Sequence, residues 1–222
     1  MSPLKRYCCL DDLPKRLAVF PLWEALLLPR GQLPLNIFEP RYLAMIDAAL
    51  AGNRLIGMVQ PARGERKEDR PSLAPVGTVG RITSYAETND GRYMITLSGI
   101  ARFRIIGEEE TDQPFRICRV DYAPFVSDLK AGHGEDLVDR KRLLDMFRAY
   151  LDCHDLQADW DSIDAATTES LVNALCMLSP YGRDEKQALL EASDLNTRAE
   201  ILIALTEKEL QQANDEPGPT LQ

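Results

Sequence analysis

Histidine, cysteine and long apolar runs are scarce in this sequence, and each scarcity excludes a class of protein. Two histidines and five cysteines occur in 222 residues. A zinc site needs three or four such ligands, and the scattered cysteines form no pair of Cys-x-x-Cys motifs. No stretch approaches the roughly 20 apolar residues that span a bilayer, and no apolar segment follows the first basic residues. We therefore expect no metal, no membrane span and no signal peptide, in a cytoplasmic protein whose thiols are reduced and buried.

Basic charge is also in deficit, and the usual catalytic motifs are missing. The 26 basic residues face 35 acidic ones, a net charge of −9, which argues against nucleic acid as a partner. There is no phosphate-binding Gly-x-x-x-x-Gly-Lys loop, no His-Glu-x-x-His and no Gly-x-Ser-x-Gly. His154 follows Cys153 directly, and neighbours on a helix point about 100° apart, so this pair is poorly placed for catalysis. His133 lies between two glycines in a polar segment. We expect no cofactor and no catalytic residues.

Hydrophobic residues make up 45% of the chain, enough for a proper core. The first half predicts many short strands, with apolar residues alternating in LPLNIF, RYMITLSG and IARFRII. The NDG sequence at 89–91 predicts a hairpin turn, and RLIGMVQ predicts a strand covered on both faces. Arg102 and Arg104 are predicted to lie on a solvated face. Residues 1–126 are thus expected to form a folded-over antiparallel sheet or small barrel with one helix.

The hydrophobic period changes to that of helices in the second half. Apolar stripes such as Leu137, Leu144, Phe147 and Leu151 predict four helices joined by short turns. Capping boxes are predicted at Asp184 with Gln187 and at Thr197 with Glu200. We expect an α+β protein in which a polar linker at 127–134 leads to a helical bundle at 135–213. The tail at 214–222 is expected to be disordered.

The sequence LPLNIFEPRYLAMI predicts a sharp corner between a strand and a helix. Pro40 lacks an N–H and fits the first helical position, while its ring keeps Glu39 out of helical geometry. Glu39 would then lie at the positive end of the helix dipole. The residues Glu39, Pro40, Arg41 and Tyr42 are therefore interpreted as a structural motif. Tyr42, Ile46, Ala49 and Leu50 are expected to form the buried face, with Gly52 as a left-handed end residue.

The run LWEALLLP contains more apolar residues than a short connection can easily bury. A receptor for unfolded chains presents an exposed apolar groove or a free strand edge. The candidate peptide-binding residues share this apolar excess and are Trp23, Leu26, Leu27, Leu28, Pro34 and Phe38. The alternative is that the leucines close the open end of the barrel.

The order of these motifs resembles the N-terminal LON domain of Lon proteases. The matching elements are VFPL, the LPRG turn, LPLNIFEPRY with its helix, and then VGTVGRI and GRYMITLSGIARFRI. EKQALLEASDLNTRAEIL resembles the helical part that follows. The resemblance covers most of residues 15–210. It implies a β-rich fold followed by helices, and a role in recognising polypeptide substrates. A related domain occurs in cereblon-type substrate receptors.

The sequence departs from a full Lon protease because it contains no ATPase module and no Ser-Lys peptidase module. The resemblance therefore implies a stand-alone, non-enzymatic module that binds unfolded or partly unfolded polypeptide, or that docks onto a protein partner. Two alternatives remain: an enzyme of unrecognised type with a pocket between the two subdomains, and a structural assembly module that associates through its helices.

Overall fold

A six-stranded sheet and a set of helices form the computed structural model, which describes residues 7–62 and 70–215. The strands are β1 (Arg16–Pro21), β2 (Gln32–Ile37), β3 (Leu55–Pro61), β4 (Leu73–Glu87), β5 (Tyr93–Glu109) and β6 (Arg116–Asp121). The α-helices are α1 (Pro40–Ala51), α2 (Arg140–Cys153), α3 (Trp160–Ala165), α4 (Thr168–Leu178), α5 (Arg183–Glu191) and α6 (Leu195–Asp215). Short 3-10 helices cover Leu10–Asp12, Ala123–Leu129 and Glu135–Leu137. The predicted α+β class is confirmed.

The sheet folds over on itself without forming a regular barrel. The strand order is β2-β5-β4-β3-β1-β6, and β6 also pairs with β5. The pairs are antiparallel except β1 with β3. Strand β2 pairs with the first half of β5, whereas β6 pairs with the second half. The folded-over sheet of the sequence prediction is confirmed, with β2 lying outside the ring that the other five strands close.

The strands β4 and β5 form one long hairpin. Its turn lies at the predicted NDG sequence, where Gly91 has a φ of +76°, a conformation that glycine adopts without steric cost. RYMITLSG and IARFRII form a single strand, because the backbone continues through Gly99. The ladder shifts register between Val79 and Gly80, and such an irregularity lets a long strand bend.

The corner between β2 and α1 forms where proline chemistry places it. Pro40 is the first helical residue, and Glu39 has the extended angles φ −73° and ψ 133°. The helix buries Tyr42, Ile46 and Ala49 as expected, together with Met45. The prediction that Gly52 ends the helix in the left-handed conformation is wrong, because its φ is −109°. The left-handed conformation falls on a non-glycine residue two positions later, Arg54, with a φ of +64°.

Two clusters of apolar residues cover the two faces of the sheet. Consecutive residues of β3 alternate between them: Ile56 packs with α1, and Leu55 packs in the cluster around Phe103 on the other face. Every residue of β3 is buried, which confirms the prediction for RLIGMVQ. A third cluster joins the helices to the sheet and includes Val76 of β4 and Phe125.

The four predicted helices correspond to α2, α4, α5 and α6, and α3 is an additional short helix. In α2 the buried residues are Leu143, Met146 and Leu151. Of the predicted stripe, Leu151 is buried and Leu144 packs partly buried against the same cluster, whereas Leu137 lies before the helix and is 68% exposed. The predicted capping boxes are also displaced. Helix α5 follows Gly182, and Asp194 accepts a hydrogen bond from the Thr197 N–H at the start of α6.

The predicted boundary between the two subdomains, at 127–134, stays a prediction. Asp128 within this segment is only 7% exposed, because it contacts the sheet. Of the predicted tail, 214–215 continue α6 and the rest lies outside the described residues. The polar loop between Pro61 and Leu73 also falls largely outside them, at 63–69.

The solvated face predicted for Arg102 is wrong. Its side chain is among the most deeply buried of the molecule, with 1% exposure. Its Nη2 donates to Asp128 Oδ1 at 2.9 Å, its Nη1 donates to the carbonyls of Leu190 and Ala192, and its guanidinium lies 4.5 Å from the ring centre of Phe125. Arg102 thus ties β5 to the helices, whereas Arg104 on the same strand is exposed.

The cysteine thiols provide a direct test of this packing. Cys118 and Cys176 are buried, and Cys8, Cys9 and Cys153 are exposed, so the predicted burial holds for two of the five thiols. Burial raises the pKa of Cys118 to about 11 and of Cys176 to about 12, and the thiol form that results is a poor nucleophile.

We expect a thiol reagent at pH 8 to modify three cysteines rapidly in the native protein and all five in denaturant. Mass spectrometry of the modified peptides would assign them. Rapid native modification of Cys176 would contradict the packing around α4.

Candidate functional site

A wide cleft in the described part of the chain opens beside the corner between β2 and α1. Its volume is about 470 Å³. One wall is the end of β1 and the residues after it, Phe20 to Trp23, and the other is the end of β2 with the corner, Leu35 to Tyr42. The rest of the lining comes from the β5–β6 connection and β6, with Thr111 and Gln113 to Arg116, and from Pro61, Arg70 and Pro71.

The cleft exists because a strand is missing from this part of the folded sheet. Strand β6 pairs with β1 only from Arg16 to Val19. Beyond Val19, β1 continues along β3 alone, through Phe20 and Pro21. Strand β2 pairs with β5 alone. Among the described residues, the end of β1 and the edge of β2 therefore face each other without a strand between them. We call this opening the seam.

Aromatic side chains from separate parts of the chain meet at the seam. They are Phe20, Trp23, Phe38, Tyr42 and Phe115. Phe20 and Tyr42 pack with ring centres 4.3 Å apart, so α1 supports this wall from behind. Phe38 is 60% exposed. An apolar side chain of another molecule could therefore bury against these rings and remove their surface from water.

The predicted structural motif contributes directly to the lining. Glu39, Arg41 and Tyr42 line the seam, whereas Pro40 does not. Arg41 Nε donates to Glu39 Oε2 at 2.9 Å, and its guanidinium lies 4.6 Å from the Tyr42 ring centre. Burial raises the pKa of Tyr42, so its phenol remains neutral. Proline thus sets the corner, and the residues that flank it form part of a recessed surface.

The opposite rim of the seam carries paired charges. Arg116 contacts both carboxylate oxygens of Glu108, through Nε at 3.0 Å and Nη2 at 2.5 Å. Arg70 donates to the same carboxylate. Hydrogen bonding by Arg116, and then by Arg70, lowers the pKa of Glu108 against the opposing effect of burial. Arg116 also donates to the Pro71 carbonyl at 2.6 Å, which fixes this rim.

Two of the six predicted peptide-binding residues, Trp23 and Phe38, line the seam. Pro34 is exposed on β2 but lies outside the lining. The prediction that Leu26, Leu27 and Leu28 form an exposed surface is wrong, because their exposures are 3%, 2% and 0%. The alternative, that the leucines close the open end of the barrel, requires them to be buried, as they are: Leu27 packs in the cluster around α1, and Leu26 and Leu28 pack in the cluster of the helices.

Sequence reasoning missed the contributions of Phe20, Phe115 and Arg116 to the seam. Phe20 lies near the end of β1, and Phe115 immediately precedes β6. Only the pairing of β6 with both β1 and β5 brings them to the corner. A proline next to each phenylalanine, Pro21 and Pro114, was the one available signal, because proline interrupts strand pairing.

No group of three or more potential metal ligands occurs in residues 7–62 and 70–215. His154 lies 3.5 Å from a carboxylate oxygen of Glu209. Within the same residues, none of the helices has the length and apolar character needed to cross a bilayer.

Comparison with known proteins identifies the family of the domain that contains the seam. A family model described as the substrate-binding domain of the ATP-dependent protease La (LON) matches residues 16–208. The chain belongs to this family. The LON domain therefore includes all of the sheet, the seam and most of the helices, and the resemblance inferred from the sequence is confirmed.

Curated relatives of this LON domain are Lon proteases. Lon protease 2 of Myxococcus xanthus is 26% identical over 88% of this chain, and Lon protease of Escherichia coli K12 is 25% identical over 86%. Lon protease of Desulfosudis oleivorans is 35% identical over 46% of the chain. The chain spans 13% to 24% of the length of these relatives.

Two solved structures share the fold. The N-terminal domain of a Mycobacterium avium complex Lon protease gives a TM-score of 0.65 at 20% identity, covering 87% of this chain and 98% of the other. A Lon N-terminal domain protein from Xanthomonas campestris gives 0.61 at 22% identity, covering 85% and 97%. The fold is that of a Lon N-terminal domain, and the domain is one of substrate recognition and not the catalytic one.

Proposed function

We propose that this LON domain binds unfolded or partly unfolded polypeptide at the seam and does not cleave it. The supporting observation is the open seam itself, whose walls carry the exposed ring of Phe38 and the half-buried ring of Trp23 over three buried aromatic rings. Unfolded chains expose apolar side chains that folded proteins bury. A recessed aromatic surface recognises that difference without requiring a particular sequence.

Family membership supports the same proposal. The matching family model is that of a substrate-binding domain, and the relatives are named as proteases. This chain covers a minor part of their length, so we propose only the recognition step for it. A protein partner that presents an extended apolar segment would be bound through the same surface.

The enzyme alternative requires a pocket between the sheet and the helices. Two cavities described there fall below the roughly 300–1,000 Å³ of ordinary ligand pockets: one between residues 29–32 and α4 has a volume of about 280 Å³, and the other, around Arg102, Asp128 and Arg198, has about 50 Å³. The charged groups of the second are largely engaged with one another, as in the ion pair of Arg102 with Asp128. No observation therefore favours either cavity over the seam, and the structure offers no particular support for assembly through the helices.

Phe38→Ala should weaken the binding of a permanently unfolded protein by about 5- to 30-fold, the usual cost of truncating an aromatic anchor. Since the side chain is 60% exposed, the fold should survive. A fluorescently labelled, reduced and alkylated protein would serve as the probe, with anisotropy as the readout. Electrophoresis of the same mixtures would show whether the probe remains intact.

The matched control is Leu178→Ala, because Leu178 is 82% exposed and lies outside the seam. Its affinity should equal that of the unsubstituted protein. Equal affinities for all three proteins would exclude the seam as the binding site, and time-dependent cleavage of the probe would contradict a role limited to recognition.

A further inference from the structure

The backbone of β2 has a defined phase of hydrogen bonding, and half of its polar groups point away from the sheet. The Gly99 N–H donates to the Gly31 carbonyl at 2.9 Å. From that pair, the register runs from Gln32 opposite Ser98 to Ile37 opposite Tyr93. Hydrogen-bonded and non-hydrogen-bonded pairs alternate in antiparallel ladders. The backbone groups at positions 33, 35 and 37 therefore face β5, and those at 32, 34 and 36 face the open edge.

Proline occupies one of the outward positions and leaves another available. Pro34 has no backbone N–H at the edge, so an added strand loses one hydrogen bond at that position. Asn36, two residues on, is exposed and lines the seam. The phase of the ladder points its backbone N–H away from β5, and no hydrogen bond outside the ladder engages that N–H among the described residues. Of the two outward positions that remain, Gln32 and Asn36, only Asn36 lines the seam beside the exposed ring of Phe38.

The charge on the walls of the seam is opposite to that of the chain. Among the described residues, Arg41, Arg70 and Arg116 line it, and Glu39 is the one carboxylate in the lining. Including Glu108, which bridges two of these arginines, three guanidinium groups face two carboxylates in a chain with a net charge of −9. An acidic occupant would meet a local excess of positive charge, whereas a basic occupant would not.

We propose that the occupant is an extended segment that adds to β2 as a further strand at Asn36 and carries acidic side chains beside an apolar one. Its backbone pairs with the outward N–H and carbonyl of Asn36, its apolar side chain packs against Phe38, and its carboxylates lie near Arg41 and Arg116. This inference rests on the proposed function and adds to it a binding mode and a class of sequence.

The test compares Asn36→Pro with Asn36→Ala. Proline removes the outward N–H and keeps the strand, as Pro34 already does at the same phase of β2. We expect Asn36→Ala to retain affinity within about twofold and Asn36→Pro to lose about 5- to 10-fold, the value of one intermolecular hydrogen bond. The probe is a short labelled peptide with a central phenylalanine flanked by glutamates. Circular dichroism confirms that both variants fold.

Two further probes keep the inference testable if Asn36→Pro fails to fold. The same peptide with alternate backbone nitrogens methylated, which abolishes strand pairing, should bind the unsubstituted protein at least about 5-fold more weakly. Replacing its glutamates with lysines should weaken binding further, with the difference diminishing as salt screens the charges.

The outcomes separate this inference from the proposed function. Equal binding of the methylated and unmethylated peptides, with Phe38→Ala still deleterious, would reject strand addition and leave recognition at the seam intact. Equal binding of the lysine and glutamate peptides would reject the acidic preference. Binding of helical but not extended peptides, or a dimer abolished by Asn36→Pro, would replace the proposed occupant. Insensitivity of every probe to Phe38→Ala would instead overturn the proposed function.

Discussion

Replacing Asp128 with alanine is expected to lower the free energy of unfolding by about 3–5 kcal/mol. Its carboxylate accepts hydrogen bonds from the backbone N–H, Nε and Nη2 of Arg102, each at 2.9 Å. Side-chain exposures are 2% for Arg102 and 8% for Asp128. Without the carboxylate, the guanidinium remains desolvated and loses its counter-charge. Urea denaturation would report the change as a lower midpoint at an unchanged slope.

The matched control is Arg104→Met, two residues along β5 on the exposed side, which should change stability by no more than about 0.5 kcal/mol. A second comparison separates the cost of an orphaned charge from the value of the pair. The double variant Arg102→Met with Asp128→Leu should recover most of the loss, because apolar residues can replace a buried ion pair. A loss below about 1 kcal/mol for Asp128→Ala would show that the pair behaves like an exposed one.

This ion pair has a structural consequence beyond its own energy. Arg102 also donates to the carbonyls of Leu190 and Ala192 at the end of α5, and Gln60 of β3 donates to Gln187 at 3.1 Å. The contacts between sheet and helices therefore include buried polar groups that need one geometry. Such contacts fix the orientation of the helices on the sheet more narrowly than apolar packing alone.

The parts of the fold set by local chemistry were predictable from sequence. Pro40 sets the corner through its own ring, the glycine at 91 sets the hairpin, and the apolar run of β3 signals cover on both faces. Each of these signals acts within a few residues, and the structure confirms each one. The helix caps were predicted less well, because Gln187, expected to close a capping box, instead hydrogen bonds with β3 and β4.

The parts set by long-range contacts were not predictable in the same way. Alternation assigned Arg102 and Arg104 to one face, and only the docking of residues about 90 positions later buries the first of them. The sequence pointed to two residues that line the seam, Trp23 and Phe38, whereas Phe20 and Phe115 are brought there by the strand order. The apolar excess at 26–28 allowed two interpretations, and the burial of all three leucines excludes the one in which they form an exposed surface.

Leu28→Ala should lower the free energy of unfolding by about 2–5 kcal/mol, the range for removing a leucine from a packed core. Leu28 is fully buried in the cluster that joins the sheet to the helices. The backbone around it leaves little room to relax: a Cβ added at Gly99 would lie 2.1 Å from the Leu28 carbonyl oxygen, and the neighbouring Pro29 carbonyl accepts from Asn173 of α4 at 3.1 Å. The cavity would therefore persist instead of collapsing.

The two interpretations of residues 26–28 predict different effects of Leu28→Ala on stability and on binding. If Leu28 belongs to the core, Leu28→Ala lowers the denaturation midpoint but binds unfolded polypeptide with unchanged affinity well below that midpoint. If it belongs to a binding surface, stability stays within about 0.5 kcal/mol of the unsubstituted protein, and affinity falls as for Phe38→Ala. Leu178→Ala provides the reference for an exposed leucine, at 82% exposure. Denaturation and anisotropy measured on the same preparations distinguish the two interpretations. A side chain that is buried on the sheet contributes to stability and has no surface available to contact a ligand.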